Sequence, residues 1–166
     1  MAFSDAGSNV YESEEDAAFV AGVNVRTLTN RDDCEYICGI YRLDSGGYVV
    51  GTSYRGEHAS ASVEGVINES DCYNDRKLIA MVHSHPYCNG HIPNEFSKQN
   101  SNGEIDGDLG CAFKYKMPIY LAAPNGELKV LYVVGFQYYG QYISINYAEK
   151  TVCSGLPADN TLFNCK

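Results

Sequence analysis

His83 and His85 stand one residue apart in the run KLIAMVHSHPYCNGHIPNEFS, residues 77–97. The apolar residues before them, 78–82, have the length and composition of a short buried strand. Side chains alternate along a strand, so residues two apart point to one side. Pro86 has no N–H and ends the ladder, which leaves both imidazoles aimed at one point where the strand stops. Two neutral imidazoles held this way make half of a zinc site. A bare His-x-His is more often a pair of surface histidines, so the reading depends on what surrounds it.

A hydrolytic zinc site needs three protein ligands, an open position and a base for water. His91, Glu95, Asp106 and Asp108 follow the histidines and are the candidates for a third ligand. Asp108 has the advantage of opening DLGCAFKYK, residues 108–116, which reads as a short helix with this acid at its N-terminus, where its carboxylate would be held still. The base should be a carboxylate on a neighbouring strand. Glu35 opens such a strand, EYICGIYR.

The elements that must position these groups are legible in part. Ser13 followed by Asp16 has the form of a capping box, predicting a helix near 13–23. Residues 27–33 are polar and read as a loop. Residues 34–41 and 48–54 read as a hairpin about the turn Asp44-Ser45-Gly46-Gly47. Residues 61–67 alternate well enough for a strand, and 68–76 read as a loop. A long Asn-, Gly- and Pro-rich loop spans 84–107; loops of that length inside a domain are often functional. Residues 118–123 and 127–134 are strands about Pro124-Asn125-Gly126. Residues 136–147 carry Tyr138, Tyr139, Tyr142 and Tyr147 on one strand, or two about Gly140; core packing is the default role for such tyrosines, with a stacking platform for sugars or bases as the rival. These elements predict a single α/β domain over 1–166, a mixed β-sheet flanked by helices, with 1–12 poorly ordered and 151–166 an unassigned tail.

Composition narrows the function. A hydrophobic fraction of 45% is ordinary for a globular chain of 166 residues and argues against disorder. With 12 basic and 21 acidic residues the net charge is -9, which disfavours nucleic acid as a partner. No apolar run is long enough for a membrane span, and no signal-peptide core follows Met1, a start compatible with a fragment of a larger protein. Seven cysteines (34, 38, 72, 88, 111, 153 and 165) leave at least one thiol unpaired. Bridges formed after export, for instance from Cys153 or Cys165, and buried free thiols are equally compatible with that count.

Taken in order, DAAFVAG (16–22), EYICGIYR (35–42), GGYVVGTSYRG (46–56), HSHP (83–86), NEFS (94–97), Asp108 and PIYLAAPNGEL (118–128) form a set. That set resembles the JAB/JAMM metallopeptidases, and most of all their relatives at the C-termini of bacterial Rhs-type and other polymorphic toxins. The resemblance covers residues 13–132. It implies a JAMM/cytidine-deaminase-like sandwich, with zinc on His83, His85 and Asp108, Glu35 as general base and Ser97 as hydrogen-bond donor to the developing oxyanion. The family places its acid three residues after the serine. Asn100 stands there in this chain, and an insertion over 100–107 carries the acid onward to Asp108, with Asp106 as the alternative.

The expected activity is therefore zinc-dependent hydrolysis of amide bonds, by a peptidase or isopeptidase acting as a bacterial toxin or effector domain. Its substrate would be a protein, a peptide or peptidoglycan, and a cognate immunity or delivery protein is an expected partner. Such a domain would be secreted or delivered into a target cell, and otherwise cytoplasmic. The competing class is a metal-free binding module that kept the fold and lost the chemistry. A nucleobase deaminase would need a His-x-Glu and a Pro-Cys-x-x-Cys, and neither occurs.

Overall fold

The computed structural model describes residues 9–87, 94–98 and 107–158. Ser13 caps the first helix, α1 (Glu14–Asp32): its Oγ accepts from the Asp16 N–H, and three acids lie in the first turn. Ala17, Ala18, Ala21, Gly22 and Val25 form its buried stripe. These small side chains let the helix lie close to the sheet; a Cβ on Gly22 would stand 3.2 Å from Leu128 Cδ1. The helix does not stop near residue 23. It continues through residues 27–32, expected as loop, because Arg26 and Thr29 prolong the buried stripe and bond to groups of the sheet. It ends at Asp33, whose backbone is left-handed (φ 54°).

Next comes β1 (Tyr36–Leu43), which pairs antiparallel with β2 (Tyr48–Val50), β3 (Tyr54–Arg55) and β4 (Arg76–Ser84). The single return strand expected over 48–54 is thus broken in two. At the break, Thr52 donates its N–H to the buried Glu69 carboxylate instead of to a strand. Glu69 also explains why residues 64–67 are not a strand. They open the helix α2 (Glu64–Asp71), whose spacing puts Val66 and Glu69 on one buried face. There the carboxylate collects the hydroxyls of Tyr54 and Tyr73 as well.

After β4 the chain crosses through α3 (Gly107–Tyr115), the helix expected at Asp108, to β5 (Ile119–Ala122), which lies parallel to β4. A turn with Gly126 at φ +87° leads to β6 (Leu128–Tyr139), and β7 (Tyr142–Cys153) completes a mixed seven-stranded sheet of order β2-β1-β4-β5-β6-β7, with β3 also on β1. The architecture is α/β, as expected. One face, with Cys38, Ile40, Ala80, Val82 and Leu128, packs on α1. The other, with Ile37, Met81, Ile119, Leu121 and Leu131, packs on α2, α3 and Phe96.

Beyond Leu131, β6 pairs only with β7, so the two strands project past β5 as an arm. This overturns the core-packing expectation for the tyrosines: Tyr142 is 74% exposed and Tyr138 66%, with Tyr139 and Tyr147 also exposed. At the chain ends, Tyr11 exchanges two backbone hydrogen bonds with Tyr48, so order begins before residue 13. Part of the expected unassigned tail is likewise built in: residues 151–153 complete β7 and Leu156 is buried against α1. Among the described cysteines, 34, 38, 72, 111 and 153 are free thiols, so Cys153 is not bridged; Cys88 and Cys165 lie outside the described residues. No helix among the described residues is long and apolar enough to cross a membrane.

The largest fully buried side chain among the described residues is that of Arg26. Its Nη1 donates to the carbonyls of His85 (2.6 Å), just past β4, and of Ala122 (3.1 Å), the last residue of β5, and Nε donates to Asn30 Oδ1 (2.9 Å). Arg26→Met keeps most of the volume and removes these donors. Loss of buried bonds from a charged donor, offset by no longer burying the charge, should lower stability by about 1–3 kcal/mol. Equilibrium urea unfolding measures this, and a midpoint equal to that of the parent chain would show that the contacts contribute nothing net.

Candidate metal centre

Alternation along β4 sends His83 toward the α3 face of the sheet and its neighbour Ser84 toward α1. Ser84 Oγ shares a hydrogen bond with Thr29 Oγ1 and accepts one from the Tyr36 N–H, 3.1 Å. Arg26 holds the His85 carbonyl from the same side. The chain between the histidines is therefore fixed from behind while both imidazoles face forward. His83 Nδ1 lies 2.8 Å from the Tyr120 carbonyl, a pure acceptor, so this nitrogen carries a proton and Nε2 is the atom turned to the site. Both rings are buried, at 5% and 6% exposure.

Asp108 reaches the same point from α3. Gly107 precedes it at φ +63°, and a Cβ there would lie 2.4 Å from Ser97 Oγ. Only glycine lets the helix start this close to residue 97. Three hydrogen bonds then clasp the two segments: Ser97 N–H to Asp108 Oδ2 (2.9 Å), Asp108 N–H to Ser97 Oγ (3.1 Å) and Leu109 N–H to the Ser97 carbonyl (3.2 Å). Segment 94–98 is itself anchored. Asn94 Oδ1 accepts from Asn125 N–H and the Asn94 carbonyl from Lys129 Nζ, Phe96 is buried beside His83, and Lys98 pairs with Glu149 at 2.9 Å. With Oδ2 so held, Asp108 Oδ1 lies 3.0 Å from His83 Nε2, and His83 Nε2 lies 3.2 Å from His85 Nε2. The donor atoms of His83, His85 and Asp108 lie within 4.8 Å of one another, a group able to hold a metal ion.

Glu35 completes the group. Its backbone is fixed by bonds to residues 56 and 57, and Oε1 stands 4.0 Å from His85 Nε2. Burial pushes its carboxyl up to about 7, with the positive His83 pulling down and Asp108 pushing up. Burial alone would lower the His83 imidazole, but the charge and hydrogen bond of Asp108, with the charge of Glu35 and the Tyr120 carbonyl, outweigh it and raise the group to about 9. Burial would raise Asp108, yet its histidine neighbours hold it below the usual carboxylate range. A pocket that holds a proton this firmly between carboxylates is a pocket that attracts a cation. Glu35, His83, His85, Asp108 and Ser97 line one open cavity of about 690 Å³, bounded also by residues 59–63 and by Phe113 and Lys114 of α3.

Every residue of the site expected from the sequence thus meets at one place, and Asp108 is the acid brought to the histidines. Asp106 and His91 lie outside the described residues, and Glu95 is exposed and apart from the group. Ser97 has a role that the sequence did not suggest: it clasps Asp108 through its N–H, Oγ and carbonyl. Arg26, Ser84 and Gly107 went unremarked in the sequence, since each acts through backbone contacts between distant segments; the left-handed glycine before a helix-opening acid was the one local sign. Comparison with protein-family models, curated proteins and solved structures finds no match to this chain.

Two outcomes follow for metal binding. Since His83 holds a proton up to about pH 9, a metal must displace it at neutral pH. Apparent affinity should rise up to about tenfold per pH unit between pH 6 and 9, with proton uptake by the buffer in calorimetry; an affinity independent of pH would show that the metal displaces no proton from His83. Gly107→Ala should weaken binding by about 10–100-fold by pushing Asp108 off its clasp, as loss of supporting contacts does elsewhere. Titration with a chromophoric zinc chelator measures this, and parent-like affinity would mean that Asp108 is not a ligand.

Proposed function

We propose that the chain is a zinc-dependent amide hydrolase, a peptidase or isopeptidase of the JAB/JAMM kind serving as a bacterial toxin or effector domain. The observation that carries this reading is the position of Glu35, a buried carboxyl raised to about 7 beside two imidazoles and a carboxylate that converge in an open cavity. His83, His85 and Asp108 would hold the ion, a donor set of two nitrogens and an oxygen that suits zinc. Zinc bound there supplies Lewis acidity toward the scissile carbonyl and makes water acidic near neutral pH.

The remaining chemistry belongs to the chain. Glu35 takes a proton from the attacking water and returns it to the leaving nitrogen, a task suited to a group titrating near 7. Tyr120 holds His83 in the tautomer that offers Nε2. Ser97 Oγ accepts from the Asp108 N–H, so its own proton remains to be donated toward an oxyanion while its N–H orients Asp108. Phe96 shields the back of His83 from water. The toxin assignment rests on the motif resemblance alone. Protein, peptide and peptidoglycan amides all remain within the substrate class, and an immunity or delivery protein is the partner such a domain would have.

The purified chain should hold about one zinc, lost in His83→Ala/His85→Ala. In Glu35→Gln the zinc should remain and turnover fall by about 10²–10⁴-fold, because Gln keeps the size of Glu but accepts no proton. Elemental analysis paired with an amide-cleavage assay decides the matter. Parent-like turnover in Glu35→Gln with zinc bound would remove Glu35 as base, and a chain that takes up no metal would favour the binding module.

A further inference from the structure

Strand β6, helix α3 and the segment that follows α3 border a second, open cavity of about 640 Å³, lined by Phe113, Lys114, Lys116, Tyr132, Phe136 and Tyr138 among others. Three features set it apart. First, it adjoins the metal cavity: Phe113 and Lys114 form part of the wall of both. Second, its aromatic rings form a ladder that leads away from the metal site. Phe113 meets Phe136 edge to face at 5.2 Å between ring centres, and Phe136 meets Tyr138 at 5.6 Å. Phe136 and Tyr138 are 53% and 66% exposed, although nothing in the fold of the described residues needs them at the surface. Third, its charge opposes that of the molecule. In a chain of net charge -9, the described lining has two lysines and no carboxylate, and residues 132–148 of the arm carry no charged side chain.

We propose that this cavity is the subsite that selects the substrate: it takes an aromatic or large aliphatic side chain, next to an aspartate or glutamate, from an extended polypeptide whose scissile amide lies at His83, His85 and Asp108. The proposal rests on the hydrolase reading for the position of the scissile bond, though not for the binding itself. The apolar side chain sits against Phe113 and Phe136, where edge-to-face packing and burial provide the affinity. The acidic side chain pairs with Lys114 and Lys116, which steers encounter and sets preference more than strength. A strongly negative enzyme would otherwise repel acidic peptides, so the two lysines mark where such a segment can approach.

The test is the panning of a randomised decapeptide display library against three folded proteins: Glu35→Gln, His83→Ala/His85→Ala, and Glu35→Gln combined with Lys114→Glu/Lys116→Glu. The first two should both enrich an aromatic or leucine beside Asp or Glu. The charge-reversed protein should enrich Lys or Arg at the acidic position, an inversion that a merely structural role for the lysines does not produce. Adding Phe136→Ala/Tyr138→Ala to Glu35→Gln should weaken the selected peptides by about tenfold or more in fluorescence polarisation. No enrichment, enrichment without the acidic position, or selection unchanged by either pair of substitutions overturns the proposal. It is also overturned if Phe136→Ala/Tyr138→Ala instead turns a dimer into a monomer in sedimentation, or abolishes binding to phosphatidylcholine vesicles. If peptides are selected as expected but no amide is ever cleaved, the hydrolase reading fails and the subsite stands. If cleavage is found but is indifferent to these substitutions, the subsite fails and the hydrolase reading stands.

Discussion

Two parallel strands, β4 and β5, end side by side, and the buried Arg26 guanidinium donates both to the carbonyl of Ala122, the last residue of β5, and to that of His85, which follows β4. Much of the molecule depends on that contact. A buried polar group is costly unless paired, so the carbonyl of His85 must find a donor, and the donor arrives on α1 from the face opposite the histidines. Thr29 and Ser84 extend the same brace by one residue, and Ser84 carries it to the backbone of Tyr36 at the start of β1. Helix, central strand and the strand that begins beside Glu35 are thus one rigid unit. The division of labour follows from the period of a strand: the residue between the histidines faces rearward and fixes, and the histidines face forward and remain available to a ligand.

That rigidity is what the electrostatics of the forward side requires. Two imidazoles and two carboxyls in a half-dry cavity repel and attract one another strongly, and mobile side chains would relax apart or turn to solvent. Here His83 is fixed through Tyr120, Asp108 through Ser97, and Glu35 through its backbone. Held there, the two carboxyls are driven apart: burial raises Glu35, while Asp108 is held down by the histidines against its own burial. Two carboxyls driven in opposite directions can serve two purposes, one accepting protons near neutrality and the other staying charged.

The residues of the candidate site were legible in the sequence because they are local signals: a strand period places His83 and His85, a helix-opening position places Asp108, and a strand start places Glu35. The apolar strands and the Pro124-Asn125-Gly126 turn were legible for the same reason. Three places were not. Residues 27–32 look like a loop because their helix buries polar groups, Arg26 and Thr29, and what stabilises them lies far away in sequence. Residues 64–67 alternate like a strand, yet the demand of Glu69 for donors from Thr52, Tyr54 and Tyr73 selects the helix. The tyrosines after residue 135 look like core, and no local pattern says that the sheet stops covering them once β5 has ended.

The clasp between Ser97 and residues 108–109 has a consequence for how such a chain can change over generations. Its three hydrogen bonds join positions eleven and twelve apart, so they tie the chain together at a neck that does not depend on what lies between. Closing a longer loop adds only about 0.6 kcal/mol per doubling of length. Lineages can therefore lengthen, shorten or rewrite that interval while the neck keeps presenting the same carboxylate to the same imidazoles. Variation in the interval is uncoupled from variation in the ligands, and that stretch of sequence can diversify at a rate the strands cannot match.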